Sequence, residues 1–308
     1  MSYFLGIDTS NYTTSIAVCN DFEVIETIRI PLKVKDGERG LRQSDAVFAH
    51  TINLPAAFES LQKYNITAIG YSAYPRDAEG SYMPCFLAGE CTARSIAAVN
   101  NIPVYKFSHQ AGHIAAAIYS SGTDEETLYS RGFIAFHVSG GTTEILSVDN
   151  NRAIRKIGGT LDLNAGQAID RIGVKLGMKF PCGAELEKEA MKCTEKITVN
   201  VHVDGVNCNL SGLENKADEM IKSGRDIPYI AMYTLQFIKT TLDKMTANAI
   251  ESYGDLPILY AGGVMSNGII KKYFQTKYNA YFAEPAFSTD NAAGIALLCR
   301  GMYKNESK

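Results

Sequence analysis

The sequence lacks the signals of a membrane protein or a secreted protein. Its 308 residues include no apolar run long enough to cross a bilayer and no basic segment followed by an apolar leader. Hydrophobic residues make up 46% of the chain and charged residues 20%. These features predict a cytoplasmic protein with no membrane partner.

Cysteine pairing and common catalytic signatures are also missing. The seven cysteines are scattered and none stands in a Cys-x-x-Cys pair, which predicts reduced, mostly buried thiols. The chain has no legible Ser-His-Asp or Cys-His arrangement, no Gly-x-Gly-x-x-Gly fingerprint and no Walker sequence. These absences argue against hydrolase and dehydrogenase functions.

Basic and acidic residues are present in nearly equal numbers. The 30 basic and 33 acidic residues give a net charge of −3, which provides no general attraction to a polyanion. A basic cluster formed by Lys33, Lys35, Arg39 and Arg42 is interpreted as a solvated loop. A nucleic-acid partner is therefore not predicted from charge, and would need a local basic patch or a second protein.

Two stretches of the chain follow the same plan. Residues 4–18 and 133–148 are each two apolar runs around a turn of small residues, the pattern of a β-hairpin with a polar tip. This repetition indicates an internal duplication. Because 308 residues exceed the usual size of one compact core, we expect two lobes. The first is residues 1–115 completed by 290–308, and the second is residues 116–289.

Strands and helices alternate between and after these hairpins. Residues 66–72 are predicted as a strand and residues 86–100 as an Ala-rich helix. Further along, the pattern predicts helices at 165–176, 185–191, 228–252 and 290–302, a strand at 257–263 and an irregular polar region at 199–225. Two hairpin-led α/β halves with a ligand cleft between them describe the actin-like, sugar-kinase and heat-shock ATPase fold.

Two histidines point to a metal site. His109 and His113 stand four residues apart, so on a helix both imidazoles project from one face and can bind one divalent ion. Asp290, at the predicted start of the last helix, is a suitable anionic ligand, and His137 is a further candidate. The alternative roles are an ordinary surface pair, a helix cap for Asp290 and a core histidine for His137.

Glycine turns follow two of the predicted strands. Residues 139–143 read Ser-Gly-Gly-Thr-Thr, and residues 261–267 read Ala-Gly-Gly-Val-Met-Ser-Asn. Consecutive N–H groups in such turns cradle phosphate or approach a nucleobase closely. Either turn alone is most often only a strand connection, but the two together in a duplicated fold predict a nucleotide ligand.

Taken together, these motifs resemble the universal tRNA threonylcarbamoyladenosine synthase family over nearly the whole chain. Residues 109–113 are similar to its His-x-x-x-His metal motif, and residues 289–291 are similar to its terminal Thr-Asp-Asn segment. The resemblance implies that His109, His113 and Asp290 bind a divalent metal, iron or zinc. His137 stands where some members have a metal-binding tyrosine.

The resemblance also implies a site for ATP, AMP or threonylcarbamoyl-adenylate. Residues 138–142 are similar to the family's nucleotide loop, and residues 160–170 to the segment whose aspartate contacts the ribose. Residues 180–183 and 262–267 are similar to two further turns of the family. The implied nucleotide site consists of Val138, Ser139, Gly140, Gly141, Thr142, Asp170, Gly183 and Asn267.

Several residues depart from the family pattern. Tyr12 and Thr13 replace two acidic residues, which removes candidate general bases. Glu214 replaces a basic residue and would weaken a phosphate contact, and Gln167 stands where a glutamate is usual. A longer segment, residues 74–84, replaces a Gly-Pro-Gly turn. These departures indicate a divergent paralogue.

The function implied by the resemblance is a metal- and nucleotide-dependent acyl transfer. The threonylcarbamoyl group would move from its adenylate to N6 of an adenosine in the tRNA anticodon loop, with partner proteins of the threonylcarbamoyl pathway. No catalytic side chain is assigned. Two alternatives stay open: a carbamoyltransferase acting on a small molecule, suggested by residues 74–84, and a non-catalytic assembly subunit, suggested by the lost acids.

Overall fold

The chain divides into two compact α/β units. The computed structural model describes residues 1–10, 12–33, 41–288 and 292–306. The first unit comprises Met1–Tyr119 and Ala286–Lys308, and the second comprises Ser120–Pro285. The boundaries expected from the sequence lie at 115/116 and 289/290.

The described residues form twelve strands and ten α-helices. The strands are β1 Tyr3–Asp8, β2 Thr13–Cys19, β3 Val24–Pro31, β4 Ile66–Tyr74, β5 Val104–Ser108, β6 Phe133–Val138, β7 Thr143–Val148, β8 Ile154–Thr160, β9 Val203–Asp204, β10 Asn207–Cys208, β11 Ile258–Ala261 and β12 Ala280–Phe282. The helices are α1 Gln43–Ser60, α2 Phe86–Asn100, α3 His109–Ser120, α4 Glu125–Tyr129, α5 Ala165–Lys175, α6 Gly183–Ala190, α7 Ser211–Lys222, α8 Ile227–Tyr253, α9 Gly268–Lys277 and α10 Ala293–Glu306. Among these helices, none combines the length and hydrophobicity needed to span a bilayer.

The sheets of the two units repeat one topology. The strand order is β3-β2-β1-β4-β5 in the first unit and β12-β11-β6-β7-β8-β10-β9 in the second. In each sheet, three consecutive strands form an antiparallel meander, β1 to β3 or β6 to β8. A parallel pair, β4 with β5 or β11 with β12, extends the sheet from the first strand of that meander. The internal duplication predicted from the two hairpins is therefore confirmed.

Strand β1 shows how the first unit packs on both faces of its sheet. Leu5 and Ile7 are buried in a cluster with residues of α1 and α2, as expected for alternate side chains of one strand. On the other face, a Cβ atom at Gly6 would lie 3.0 Å from Cα of Ala296 in α10. This close approach requires glycine, and it brings the last helix onto the sheet of the first unit.

The predicted elements agree with the structure in most places and fail in one region. Helix α2 has the predicted limits, and α8 extends the predicted helix by one residue at each end. The region 199–225 was predicted to be irregular, which is wrong, because it contains α7 and the short strands β9 and β10. Helix α7 buries Leu213 and Ala217, and Met220 and Ile221 pack against the same core, so its apolar residues do follow helical spacing although the segment is polar overall.

Candidate functional site

Helix α3 carries His109 and His113 on one face. Strand β5 ends at Ser108, whose Oγ accepts the N–H of Ala111 at 3.0 Å and so caps the first turn of α3. The Nε2 atoms of the two histidines lie 2.8 Å apart, and their ring centroids lie 4.3 Å apart. Both nitrogens are thus placed to bind one ion together, in the arrangement that the i, i+4 spacing predicts.

Asp8 lies behind this pair and was not predicted from the sequence. It ends β1 and is 1% exposed. Its Oδ2 is 2.7 Å from Nδ1 of His109, and its Oδ1 accepts the N–H of Ser10 at 2.8 Å. The signal in the sequence was a single carboxylate closing an otherwise apolar strand, a position where a charged side chain needs a partner.

The remaining ligands of a metal ion are not supplied by the described part of the chain. Within residues 1–10, 12–33, 41–288 and 292–306, no group of three His, Cys, Asp or Glu side chains is arranged to hold a metal. Asp290 lies outside the described residues, as do Lys35 and Arg39 of the basic cluster. The chemistry of the described donors fits a divalent ion, because two imidazole nitrogens converge and a buried carboxylate supports one of them.

His137 belongs to the second unit. It is a half-buried residue of β6 that pairs across the sheet with Glu144 of β7 on one side and Ala261 of β11 on the other. The Glu144 side chain is itself 8% exposed and lies 3.0 Å from Nζ of Lys156. His137 therefore stands near the end of its strand beside a buried carboxylate, and its predicted role as a metal ligand stays a prediction.

The two glycine turns of the second unit are packed backbone to backbone. In the first turn, Ser139 N–H donates to the carbonyl of Thr142 at 2.7 Å. The carbonyl of Val138 accepts the N–H of Val264 from the second turn at 3.1 Å. A Cβ at Gly166, in α5, would lie 2.6 Å from the backbone of Gly140. Glycine is therefore required where α5 meets the first turn.

A cavity of about 480 Å³ lies in the second unit beside these turns, a volume typical of small-molecule sites. Its lining residues are Gly140, Gly166, Ile169, Asp170, Phe180, Pro181, Gly183, Ala184, Glu187, Gly263, Val264, Ser266 and Asn267. The structure thus brings together four of the predicted nucleotide residues, Gly140, Asp170, Gly183 and Asn267. The other four, Val138, Ser139, Gly141 and Thr142, form the strand end and turn but are not part of this lining.

The polar groups of the cavity are partly committed to the protein. Asp170 Oδ1 accepts the N–H of Cys182 at 2.8 Å. Asn267 Oδ1 caps α9 by accepting the N–H of Ile270 at 3.1 Å. These bonds involve the Oδ1 atom of each side chain and not Asp170 Oδ2 or Asn267 Nδ2.

Sequence reasoning missed two other polar residues of the cavity. Glu187 Oε1 accepts the N–H of Gly268 at 2.7 Å and so ties α6 to the start of α9. The Oγ of Ser266 is buried and has no hydrogen-bond partner among the described residues. A buried hydroxyl without a partner is costly, so a ligand that bonds to it would be stabilised.

The structure also accounts for two of the departures from the family pattern. Glu214 lies 3.1 Å from Arg171 and 2.8 Å from Lys175, and Lys175 in particular holds the pKa of its carboxyl below the usual range. The reversed charge is therefore compensated within α5 and α7. Gln167 takes part with Asn164 in the capping box of α5.

The longer segment 74–84 is tied to the start of the histidine helix. The carbonyl of Pro75 accepts the N–H of Gln110 at 3.0 Å, and Asp77 Oδ2 accepts the hydroxyl of Ser108 at 2.7 Å. Residues that replace the family's short turn thus support the helix that presents His109.

One protein-family model and several related sequences match this chain. The model of the TsaD family, described as tRNA N6-adenosine threonylcarbamoyltransferase, matches residues 45–297. The protein of that name from Mycoplasmopsis agalactiae is 29% identical over 98% of this chain and 99% of its own length. A probable bifunctional tRNA threonylcarbamoyladenosine biosynthesis protein of Thermoplasma acidophilum is 26% identical over 98% of this chain. The chain spans 56% of the length of that relative.

Solved structures resemble this one in fold. HypF from T. kodakarensis has a TM-score of 0.61 and 13% identity, over 99% of this chain and 48% of its own. The activator of 2-hydroxyisocaproyl-CoA dehydratase from Clostridium difficile, solved with bound ADPNP, has a TM-score of 0.55 and 14% identity, over 99% of this chain and 97% of its own. At this level of identity the likeness concerns the fold alone, and it confirms the predicted α/β actin-like class.

Proposed function

Because the chain belongs to the TsaD family of tRNA N6-adenosine threonylcarbamoyltransferases, we propose that it transfers a threonylcarbamoyl group from its adenylate to N6 of an adenosine in the tRNA anticodon loop. The observation that carries this proposal is the cavity of the second unit, because it is built from the turns that the family resemblance assigns to the nucleotide. In the reaction, N6 attacks the carbamoyl carbon, the bond from that carbon to the phosphate oxygen breaks, AMP leaves and N6 loses one proton.

The cavity suits the AMP part of the donor. Asp170 and Glu187 present carboxylates, which accept hydrogen bonds from ribose hydroxyls and from an exocyclic amine. The glycine turns at Gly140 and Gly263 bring backbone close to the ligand, as phosphate binding requires. Apolar side chains such as Ile169 and Val264 complete the lining against a base.

His109 and His113 together form what we call the histidine clamp. This pair suits a divalent metal ion, for which we propose iron or zinc. A bound ion would act as a Lewis acid on the carbamoyl or carboxylate oxygen of the donor. His109 and His113 hold their Nε2 atoms together at the start of α3. Asp290 and His137 are the further ligands that the family resemblance implies.

The chain's other contribution is orientation. Holding donor and acceptor in fixed positions removes much of the entropic cost of bringing them together. We assign no side chain as a general base. Because one relative is named a bifunctional threonylcarbamoyladenosine biosynthesis protein, we also propose that this chain works with other proteins of the pathway.

Transfer of radiolabelled threonine to tRNA tests the proposal. Purified, metal-loaded protein is combined with an adenylate-forming enzyme, ATP, bicarbonate, labelled threonine and unmodified tRNA. We expect label in the tRNA, a loss of at least tenfold in His113→Ala, and no loss in His202→Ala, which changes an exposed histidine of the second unit.

Three results would contradict the proposal in different ways. Absence of label, while the Mycoplasmopsis agalactiae relative is active in parallel, would exclude tRNA transfer. Turnover of a small acceptor without RNA would identify a small-molecule carbamoyltransferase. Failure of the protein to retain any metal would favour an assembly role, since a scaffold has no physical need for a stoichiometric ion.

A further inference from the structure

We propose that Asp8 is the positioning residue of the histidine clamp. Its carboxylate fixes His109 as the tautomer that carries its proton on Nδ1, so that the Nε2 lone pair is directed toward His113 and the metal. This inference rests on the proposed metal site. It does not depend on which acceptor the enzyme uses.

The first step is the state of Asp8. Its side chain is 2% exposed, and each oxygen lies at hydrogen-bond distance from a nitrogen: Ser10 N–H donates to Oδ1 at 2.8 Å, and Nδ1 of His109 lies 2.7 Å from Oδ2. An ionised carboxylate only accepts hydrogen bonds. The proton in the contact with His109 therefore belongs to Nδ1.

The second step is the consequence for His109. A neutral imidazole with its proton on Nδ1 has a bare Nε2, and this nitrogen lies 2.8 Å from Nε2 of His113. Metal ions bind the bare nitrogen of an imidazole, and a carboxylate on the opposite nitrogen fixes the ring and raises its basicity. Without Asp8, the proton of His109 is free to occupy Nε2 and block the ligand position.

The third step separates positioning from direct ligation. Nδ1 and Nε2 are different edges of one ring, and Asp8 contacts the Nδ1 edge while His113 contacts the Nε2 edge. The contact of Oδ2 with Nδ1 places this oxygen at the edge of the ring away from the proposed ligand nitrogen. Backbone holds Asp8 in place, because it pairs with Ser15 in the sheet and accepts the Ser10 N–H.

Metal affinity provides the first test. The dissociation constant for Zn²⁺ is measured by competition with a chromophoric chelator in the full-length protein. We expect Asp8→Ala to raise this constant about 10- to 100-fold, the usual effect of losing such a support. The control is Asp45→Ala, which changes an exposed acid of α1 in the same unit. We expect that variant to bind Zn²⁺ as wild type does.

Histidine tautomers provide a second test that a purely structural role would not affect. Side-chain ¹⁵N shifts of the metal-free protein should show His109 protonated on Nδ1 in wild type and a mixture of tautomers in Asp8→Ala. The isosteric Asp8→Asn serves the same test if Asp8→Ala does not fold. Unchanged tautomer and unchanged Zn²⁺ affinity in a folded variant would overturn the proposal.

The outcomes distinguish this inference from the proposed function. A wild-type protein that binds Zn²⁺ through His109 but transfers no threonylcarbamoyl group contradicts the function and leaves the role of Asp8 intact. If His109→Ala binds Zn²⁺ as tightly as wild type, the clamp itself is wrong, and the role of Asp8 is wrong with it.

Discussion

Asp8 and His50 are two buried ionisable residues near the first hairpin that differ in their polar contacts. Asp8 is buried, its Oδ1 accepts the N–H of Ser10, and its Oδ2 lies 2.7 Å from Nδ1 of His109. His50, in α1, is wholly buried, and its Nδ1 lies 2.8 Å from Oγ1 of Thr14. Burial lowers the pKa of His50 to about 4, so it is neutral at physiological pH and packs as a core residue.

The burial of His50 predicts an acid-sensitive fold. The folded pKa lies below the ordinary value of 6.5, so the unfolded chain binds an extra proton between pH 6.5 and about 4. Stability is therefore fully present above pH 6.5 and falls as the pH drops toward 4. The difference corresponds to about 3 kcal/mol.

We expect His50→Gln to flatten this dependence. Urea unfolding from pH 7 to pH 4 measures it, with His202→Gln, at an exposed position, as the control. If the free energy of unfolding depends on pH in the same way in wild type and in His50→Gln, the prediction is contradicted.

Replacing Gly166 with a larger residue should cause a steric clash at the first glycine turn. A Cβ at this position would lie 2.6 Å from the Gly140 backbone, which has no flexible end to move away. We expect Gly166→Ala to lose about 1 to 3 kcal/mol of stability. Gly183→Ala is the matched control in the same cavity, because no atom lies within 4 Å of its added Cβ. Equal melting temperatures for the two variants would show that the turn adapts.

At the scale of elements, Asp162 joins the end of β8 to the start of α7. Its Oδ1 accepts the N–H of Leu210 at 2.7 Å, and its Oδ2 accepts the N–H of Ser211 at 3.1 Å. Partial burial would raise the pKa of this carboxyl, but the bonds from Ser211 and Leu210 outweigh burial and lower it. The contribution of Asp162 to stability is therefore present above its ordinary pKa and lost as the pH falls through the lowered value.

Removing this carboxylate should loosen α7. We expect Asp162→Ala to destabilise the protein by about 1 to 3 kcal/mol, because the backbone N–H groups of Leu163, Leu210 and Ser211 lose their acceptor. Hydrogen exchange should accelerate at the amides of Leu210 and Ser211. Asp204→Ala, at an exposed acid of β9, should change neither quantity. Unaltered exchange at Leu210 would show that the backbone finds another acceptor.

At the scale of the whole molecule, one strand topology occurs twice but is used differently. In the first unit, Asp8 is the last residue of β1, and the helix after β5 carries the two histidines. In the second unit, the turns after β6 and β11 form the cavity wall. The ends of the equivalent strands β1 and β6 thus lead to Asp8, beside the proposed metal-binding pair, in one unit and to the proposed nucleotide cavity in the other.

Nucleotide binding in the second unit should stabilise the protein. AMP at about 100 times its dissociation constant adds about 2.7 kcal/mol, or about 5 to 10 °C in melting temperature for a unit of this size. We expect Asp170→Ala to reduce this AMP-induced shift and Asp218→Ala, which changes an acid outside the cavity lining, to preserve it. A full shift in Asp170→Ala would remove Asp170 from the nucleotide site.

The sequence by itself determined the features that depend on near neighbours. Apolar runs around turns of small residues located the hairpin strands β1 and β6, composition located α2, and the i, i+4 spacing placed His109 and His113 on one helix face. Helix α7 was missed although Leu213, Ala217, Met220 and Ile221 follow helical spacing, because the charged residues between them make the segment polar overall.

Only the tertiary structure decided which distant groups meet. Asp8 and His109 are 101 positions apart, and Glu187 reaches the backbone of Gly268 across 81 positions. Local preferences of the backbone specify helices and strands, but long-range partners depend on how those elements stack. The packing of these elements places the Asp8 carboxylate beside His109, a contact that the spacing of the two histidines does not reveal.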